Sequence, residues 1–268
     1  MVLQTISSQN CVQNLENEAR LKYLTIHFLL FNHGQQPLVT AFKNIEANIL
    51  RGIEILEFKA VRNTNSDEFN QALQIYSSSF PPVETKPVNK VVKMLLKDKN
   101  YHLFVMLKDD SVIGISLLYV FKKLRSGLLD YMAIIPEYQR KGMGTELFHH
   151  TLNQFKRMCP NSIGLFLEVQ KEDVEDLGGR RNRKNRIMFY RRFGAKKVCN
   201  LDYLLPPQHG TKPEEMHLMI VPTVRVKSLS KKYILDVIKA IYVKVYGYTK
   251  DDLWLKFFRT GMSDLPLR

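Results

Sequence analysis

The sequence predicts an α/β fold with a mixed sheet between residues 52 and 222, and three observations carry that prediction. Two β-rich runs, 102–107 and 112–121, are separated by Asp109-Asp110, which is typical of an antiparallel hairpin. A third apolar run, 128–135, leads through a short loop into 145–158, where apolar residues fall on one helical face. Strand-like and helix-like runs then alternate up to residue 222, which indicates a sheet with helices packed against it.

The remaining elements follow in chain order. Ser66 with Glu68 can open a helix that ends at Pro81-Pro82, where proline stops helical hydrogen bonding. A long charged loop is expected over 170–184, before a short helix that stops at Gly194. The other predicted elements are a strand at 53–58, a helix at 87–97, a strand at 163–169, the short helix at 187–193, and strands at 198–205 and 216–221.

The two ends differ in composition from this middle domain. Residues 1–51 show weak helical spacing and are expected to form a helical N-terminal extension. Residues 223–268 carry ten Lys or Arg against four Asp or Glu and are expected to form a basic, helical C-terminal extension. Apolar residues at helical spacing in 234–245 favour a helix packed on the core over a helix lying on a membrane surface.

The net charge of the chain indicates which binding partners it attracts, and its cysteine content bears on the cellular compartment in which it folds. The 268 residues carry a formal net charge of +14, which predicts attraction to a phosphorylated cofactor, nucleic acid, an acidic peptide or an anionic membrane. Three widely spaced cysteines without a CxxC pair favour neither a disulfide framework nor a zinc site. With no export signal, and only a short apolar stretch at 23–31, we expect a cytoplasmic protein.

The segment Gln139-Arg140-Lys141-Gly142-Met143-Gly144 joins the third strand to its helix. Glycines without Cβ atoms let a diphosphate approach the backbone, and a helix start directs free N–H groups and a positive dipole end at it. The segment matches neither the Walker A loop nor the dinucleotide-binding GxGxxG. The alternative is a tight turn packed close to the sheet.

The run from Tyr131 to Leu147 resembles the signature motif of the GNAT superfamily of acyl-CoA-dependent N-acyltransferases, because 139–144 matches its Q/R-x-x-G-x-G/A core. The resemblance extends over about 52–222. It implies a GNAT-like mixed, mostly antiparallel central sheet flanked by helices, with the two extensions added. It also implies acetyl-CoA or another acyl-CoA as co-substrate.

Residue by residue, the resemblance implies that the backbone of the third strand holds the pantetheine arm and that the loop and helix start hold the pyrophosphate. A strand N–H, here that of Ile134, would polarise the thioester carbonyl. The pantetheine contacts would be Met132, Ala133 and Ile134, and the pyrophosphate contacts Gln139, Arg140, Lys141, Gly142, Met143, Gly144 and Thr145.

A second segment, 189–195, resembles the family's FYxxxGF/A stretch. It implies that Tyr190 is the general acid that protonates the leaving thiolate, while the alternative is a core aromatic. The family's pantetheine-binding asparagine would fall at Arg183, a departure that leaves Asn185 as the nearby substitute. The arginines around it are either a solvated charge run or contacts for an anion.

An attacking amine must lose a proton, so a carboxylate near the thioester is useful. Glu168 is the first candidate for this base and Asp130 the second. The structural alternatives are an ion pair between Glu168 and a nearby arginine, and an Asp130 that points outward from a strand edge. The adjacent histidines 149 and 150 lack metal-ligand spacing, so no metal is assigned.

The sequence therefore predicts an N-acyltransferase, acetyl by default, that works by direct attack of a primary amine, with a peptide or protein amine as the first candidate acceptor. A small-molecule amine or aminoacyl-tRNA is the alternative acceptor. The alternative of another class is a non-catalytic module that binds CoA and recruits a partner. The basic charge also allows a nucleic-acid partner, although no zinc-finger or RNP-like motif accompanies it. Oligomeric state is left open, with a dimer as one option.

Overall fold

The computed structural model describes residues 56–80, 84–172, 177–206, 213–249 and 265–267. The chain divides into two units, Met1–Ile55 and Leu56–Arg268, and the fold below is that of the second. The expectation of a helical extension over 1–51 lies outside the described residues, as does the start of the first predicted strand.

One sheet of eight strands forms the centre of this unit, in the order β1-β2-β3-β4-β5-β8-β6, with β7 paired to the free part of β8. Only β4 and β5 are parallel, and the other pairs are antiparallel. This confirms the predicted mixed, mostly antiparallel sheet. The strands are β1 (Leu56–Val61), β2 (Tyr101–Lys108), β3 (Ser111–Phe121), β4 (Ser126–Ile134), β5 (Gly164–Gln170), β6 (Lys196–Lys197), β7 (Tyr203–Leu205) and β8 (Glu214–Pro222).

Local chemistry accounts for where the elements begin and turn. Asp109 and Asp110, both at positive φ, form the tight turn between β2 and β3. The Ser66 side chain accepts a hydrogen bond from the Phe69 N–H and caps the first helix, as predicted. The helices are α1 (Asp67–Ser79), α2 (Val88–Lys97), α3 (Met143–Met158), α4 (Leu177–Arg192) and α5 (Lys231–Ala240), and a π-helical turn (Ile241–Val245) continues α5.

Helices cover both faces of the sheet because its strands alternate. On β5, Leu165, Leu167 and Val169 join the cluster formed with α3 and α4. Phe166, between them, joins the cluster formed with α1, α2 and α5. Alternation therefore directs Glu168, two residues after Phe166, toward the face that carries α5.

Two predicted elements differ from the structure. The predicted strand 198–205 is broken, because Asn200 adopts a positive φ and Val198 bridges to Leu267 instead of continuing the strand. The predicted short helix 187–193 is the end of α4, which begins at Leu177. Its Arg and Lys residues are good helix formers, and the spacing of Arg183, Ile187 and Tyr190 gives the helix one buried face.

The C-terminal segment contributes to the core. Ile234, Val237 and Ile238 of α5 are fully buried, as are Ile241 and Val245 of the π turn. The helix therefore packs on the core rather than lying on a membrane surface. Within the part of the chain that the structure describes, no helix is long and apolar enough to cross a membrane.

Candidate active site

The sheet opens between β4 and β5. The two strands pair only over 126–129 and 164–167, after which β4 continues against β3 and β5 continues against β8. Asp130 is the extra residue of a β-bulge on β4, because Leu117 opposes Tyr131 while Leu118 opposes Leu129. A bulge bends a strand and redirects its side chain, so this one lies where the strands separate.

We call the resulting gap the fork, and the cavity within it the fork pocket. The pocket has a volume of about 90 Å³. Its walls come from β4, β5, α4 and the C-terminal π turn, and include Asp130, Met132, Glu168, Arg186, Tyr190 and Tyr246. The fork thus brings both candidate bases and the candidate acid to one cavity.

The backbone of β4 presents polar groups to the fork. The Ile135 N–H donates to the Ile113 carbonyl at 3.0 Å, so residue 135 faces β3. Because backbone groups alternate along a strand, Met132 and Ile134 face the fork, and the backbone of Ala133 faces β3. The Gln139 side-chain amide donates to the Ile134 carbonyl at 2.8 Å, which fits this orientation. Of the three expected pantetheine contacts, the geometry thus favours Met132 and Ile134.

Residues 139–145, which we call the pyrophosphate cradle, lead from β4 into α3. Gly142 has φ +87° and is the N-cap of α3, so a residue with a Cβ would be strained there. A Cβ built on Gly142 meets no atom within 4 Å, and one on Gly144 meets only the Phe189 ring, at 3.7 Å. Close packing therefore does not explain these glycines.

The cradle fits a diphosphate. Because the first N–H groups of a helix lack intrahelical partners, the start of α3 offers donors together with a positive dipole end. Arg140 and Lys141 are exposed beside these donors and add positive charge, and Thr145 and Met143 lie in the first turn of α3.

Tyr190 lies on the buried face of α4 and lines the fork pocket. Its ring packs edge-on against Phe148 at 5.3 Å between centroids. Burial raises the pKa of Tyr190 to about 12, against a smaller opposing effect of Arg186. The phenol is therefore protonated at neutral pH, as a proton donor must be.

The expected substitute for the family's asparagine does not reach this cavity. Asn185 is exposed on α4, whereas Arg183, at the position of that asparagine, is buried on the same face as Tyr190. Helical periodicity explains the difference, because residues 183, 187 and 190 share one face and residue 185 lies about 140° around the axis from 190 and away from that face.

Glu168 is held by two tyrosines. Its Oε1 accepts a hydrogen bond from the Tyr203 hydroxyl of β7, and its Oε2 accepts one from the Tyr246 hydroxyl at 2.7 Å. The structure thus replaces the alternative of an arginine ion pair with two phenols. Burial raises the pKa of Glu168 to about 7, and the two phenol hydrogen bonds oppose that rise.

Asp130 differs from Glu168 in its surroundings. Its side chain is fully buried, so the alternative in which it points outward from a strand edge is wrong. Oδ1 accepts from the Lys86 ammonium at 2.6 Å and Oδ2 from the Tyr101 hydroxyl at 2.5 Å. The Lys86 ammonium also lies 4.6 and 4.4 Å from the ring centres of Tyr131 and Tyr246. The bulge therefore directs Asp130 into an ion pair, which leaves Glu168 as the better-suited base.

Sequence reasoning missed three of these side chains: Lys86, Tyr203 and Tyr246. None belongs to a recognised motif, and they come from a loop, a three-residue strand and the C-terminal segment. The only available signal was a group of tyrosines, 242, 246 and 248, at the end of an otherwise aliphatic helical pattern.

Comparisons with known proteins agree with this architecture. Residues 69–178 match the model of the Acetyltransferase (GNAT) family. A solved GNAT-family acetyltransferase from Bacteroides thetaiotaomicron is similar with a TM-score of 0.58 and 21% identity, over 72% of this chain and 99% of that chain. No curated protein gives a significant match.

Two further solved structures are similar at lower scores. One is the ribosomal-protein-S18-alanine N-acetyltransferase from Escherichia coli, with a TM-score of 0.46 and 16% identity over 64% of this chain and 96% of that chain. The other is a Bacillus subtilis acetyltransferase in complex with CoA, with a TM-score of 0.42 and 12% identity over 63% and 100%. At such identities a structural match speaks only for the fold, so the family assignment rests on the family model. The match of residues 69–178 therefore indicates a GNAT acetyltransferase domain in this chain, and members of that family are acyl-CoA-dependent N-acyltransferases.

Proposed function

We propose that this chain is an acyl-CoA-dependent N-acyltransferase that moves an acyl group, acetyl by default, to the primary amine of a peptide or protein. One observation carries the proposal: the fork pocket brings a protonated phenol, Tyr190, and a carboxylate with a pKa of about 7, Glu168, to the end of a strand that leads into a pyrophosphate cradle.

Acetyl-CoA would supply the thioester whose carbonyl carbon the amine attacks. The cradle would hold its pyrophosphate through the N–H groups of Met143 and Gly144 and the charges of Arg140 and Lys141. The fork-facing backbone of Met132 and Ile134 would bind the pantetheine amides, as an added strand would.

Glu168 would take the proton that the amine must lose. An alkylammonium has a pKa of about 10.4, so at neutral pH a base beside the amine increases the fraction able to attack. A carboxylate of pKa about 7 is roughly half ionised at pH 7, and its remaining lone pairs can accept a proton directly or through one water.

Ile134 and Tyr190 would act on either side of the carbon–sulfur bond that breaks, Ile134 on the acyl group and Tyr190 on the sulfur. The Ile134 N–H would donate to the acyl oxygen as negative charge develops there. As the nitrogen–carbon bond forms and the carbon–sulfur bond breaks, the Tyr190 hydroxyl would give its proton to the sulfur. The ammonium loses two protons in all: Glu168 takes the one that frees the lone pair, and solvent takes the one that leaves the nitrogen after its bond to carbon has formed. Glu168 has then gained one proton and Tyr190 has lost one, and exchange with solvent restores both.

The pocket itself supports the acceptor class. At about 90 Å³ it is smaller than the ~300–1,000 Å³ of cavities that enclose whole ligands, so a terminal amine fits while the rest of the acceptor stays outside. Glu84 also lines the pocket, and burial, with a further contribution from Glu214, raises the pKa of its carboxyl. These carboxylates would attract a cationic amine group.

The test is thiol release from acyl-CoAs of several chain lengths with three acceptor sets: peptides with free amines, small amines and aminoacyl-tRNA. We expect release with peptides and acetyl-CoA, and mass spectrometry locates the added acyl group. Thiol release only with small amines would contradict the proposed acceptor. A steep loss of acceptor affinity with salt would favour RNA. No release with any amine would contradict the enzyme and favour the CoA-binding module.

A further inference from the structure

Among the described residues of the C-terminal segment, Tyr246 alone lines the fork pocket. α5 is fixed on the core by its buried Ile234, Val237 and Ile238, and the π turn that follows brings Tyr246 against the pocket wall. The Tyr246 N–H donates to the Ile241 carbonyl at 3.1 Å, the five-residue step of a π turn. Such turns interrupt helices frequently at functional sites.

Tyr246 is held at both ends. Its carbonyl accepts a hydrogen bond from the Lys90 ammonium of α2 at 2.5 Å. Its ring covers the Lys86 ammonium at 4.4 Å, and its hydroxyl donates to Glu168 Oε2 at 2.7 Å. The side chain is 4% exposed. A tyrosine fixed in this way presents its hydroxyl at a defined position.

We propose that Tyr246 is a positioning residue for Glu168, so that the C-terminal segment completes the site in which the acceptor amine is deprotonated. The inference rests on the proposed function. With Tyr203 on one oxygen and Tyr246 on the other, the carboxylate cannot rotate without losing a hydrogen bond. Both phenols also stabilise its ionised form, because they donate to it.

The same contact sets the pH at which Glu168 ionises. Among the described residues, the titratable and charged groups around this carboxylate are Tyr203 from β7, Tyr242 and Tyr246 from the C-terminal segment, Asp130 from β4, Lys86, and Glu84 and Arg186 across the pocket. The tyrosines can be changed without removing a charge, and Tyr246 is the one from the C-terminal segment that donates to the carboxylate. Loss of its hydroxyl should raise the pKa of Glu168, since a hydrogen bond to the ionised form is lost.

The test compares Tyr246→Phe with Tyr242→Phe. Tyr242 lies in the same π turn, but its hydroxyl donates to the Leu204 carbonyl, so its loss removes a phenol hydrogen bond without removing one from Glu168. The pKa of Glu168 is read directly from the carboxyl ¹³C shift in glutamate-labelled protein, with Glu168→Gln assigning the signal. We expect a value near 7 in the unmodified protein, a rise of about 1 in Tyr246→Phe, and an unchanged value in Tyr242→Phe.

In the transfer assay with acetyl-CoA and a peptide amine, Tyr246→Phe should lower kcat/KM about fivefold at pH 7 and converge with the unmodified protein above pH 9. A pKa unchanged by Tyr246→Phe, or raised equally by Tyr242→Phe, would overturn the inference. If Tyr246→Phe does not fold, 3-fluorotyrosine at position 246 keeps the hydroxyl as a stronger donor and should lower the pKa instead. The NMR titration needs no acceptor, so it succeeds or fails separately from the proposed function.

Discussion

The pyrophosphate cradle and the fork pocket are built on opposite principles. The cradle is a run of seven consecutive residues, 139–145, that offers backbone N–H groups and exposed positive charge. The fork pocket gathers side chains from positions as distant as Lys86 and Tyr246, and its ion pair between Lys86 and Asp130 is fully buried. The cradle is local and exposed, whereas the fork pocket is assembled by the fold and its polar groups are buried.

This difference predicts how each region responds to change. A substitution in the cradle alters local backbone shape and the affinity for an anion. A substitution in the fork pocket removes a partner from a buried polar group, which costs stability as well as activity.

Asp130→Asn tests this difference most severely. The change leaves the Lys86 ammonium buried beside a neutral amide, and losing one partner of a buried pair costs about 3–5 kcal/mol of unfolding free energy. Urea denaturation measures it. The control is Asp236→Asn, which removes the exposed pair between Lys232 and Asp236 and should cost less than about 0.5 kcal/mol. Equal losses of unfolding free energy in the two variants would show that the buried pair of Lys86 and Asp130 stabilises the protein no more than the exposed pair does.

Glu168→Gln should have the largest effect on activity. If Glu168 is the base, kcat/KM of the unmodified protein rises with pH around 7, because the ionised fraction of Glu168 rises there. Glu168→Gln should lose this rising part of the pH profile. At pH 8 we expect a loss of about 10³-fold. Glu215→Gln, at an exposed glutamate paired with Lys171, is the matched control. A pH limb that persists in Glu168→Gln would assign the base elsewhere.

Most of the fold was readable from the sequence because its signals are local. The hairpin turn at Asp109-Asp110, the Ser66 cap and the apolar face of α3 each depend on residues close in the chain. The break at Asn200 was not readable, because the partner of Val198 is Leu267, and nothing near residue 198 encodes that bridge.

The residues of the candidate site also fall into two groups, those with a local sequence signal and those that only the fold brings together. The cradle, Tyr190 and Glu168 were predicted from a contiguous motif or a strand position, and the structure brings Tyr190 and Glu168 to one pocket. Lys86, Tyr203 and Tyr246 were missed, because a loop, the three-residue strand β7 and the π turn after α5 bring them to the fork, and none of these three has a sequence signature here. Asn185 lies outside the buried face of α4, which the sequence did not show because it predicted a helix that starts only at residue 187, whereas α4 starts at Leu177.

Tyr190→Phe separates catalysis from binding in the fork pocket. Removing the proposed proton donor should lower kcat about 10²-fold while the affinity for CoA stays unchanged, because the ring still packs against Phe148. Steady-state rates and calorimetric titration with CoA measure the two quantities. Tyr233→Phe, which loses a hydroxyl bonded to the Leu124 carbonyl far from the fork, is the control. An unchanged kcat would favour the non-catalytic module.

Gly142→Ala addresses the cradle and should destabilise the protein less than Asp130→Asn does. An alanine at φ +87° costs about 1–2 kcal/mol, and its Cβ would lie where the anion approaches. Gly194→Ala is a close match, because Gly194 has φ +80° and its Cβ also meets no atom within 4 Å, but it lies at the end of α4, outside the cradle. We expect similar losses of unfolding free energy in both variants, and weaker CoA binding only in Gly142→Ala. Because the cradle and the fork pocket are separate, the pKa of Glu168 should stay near 7 in Gly142→Ala; a shifted value would show that the two regions are coupled through β4.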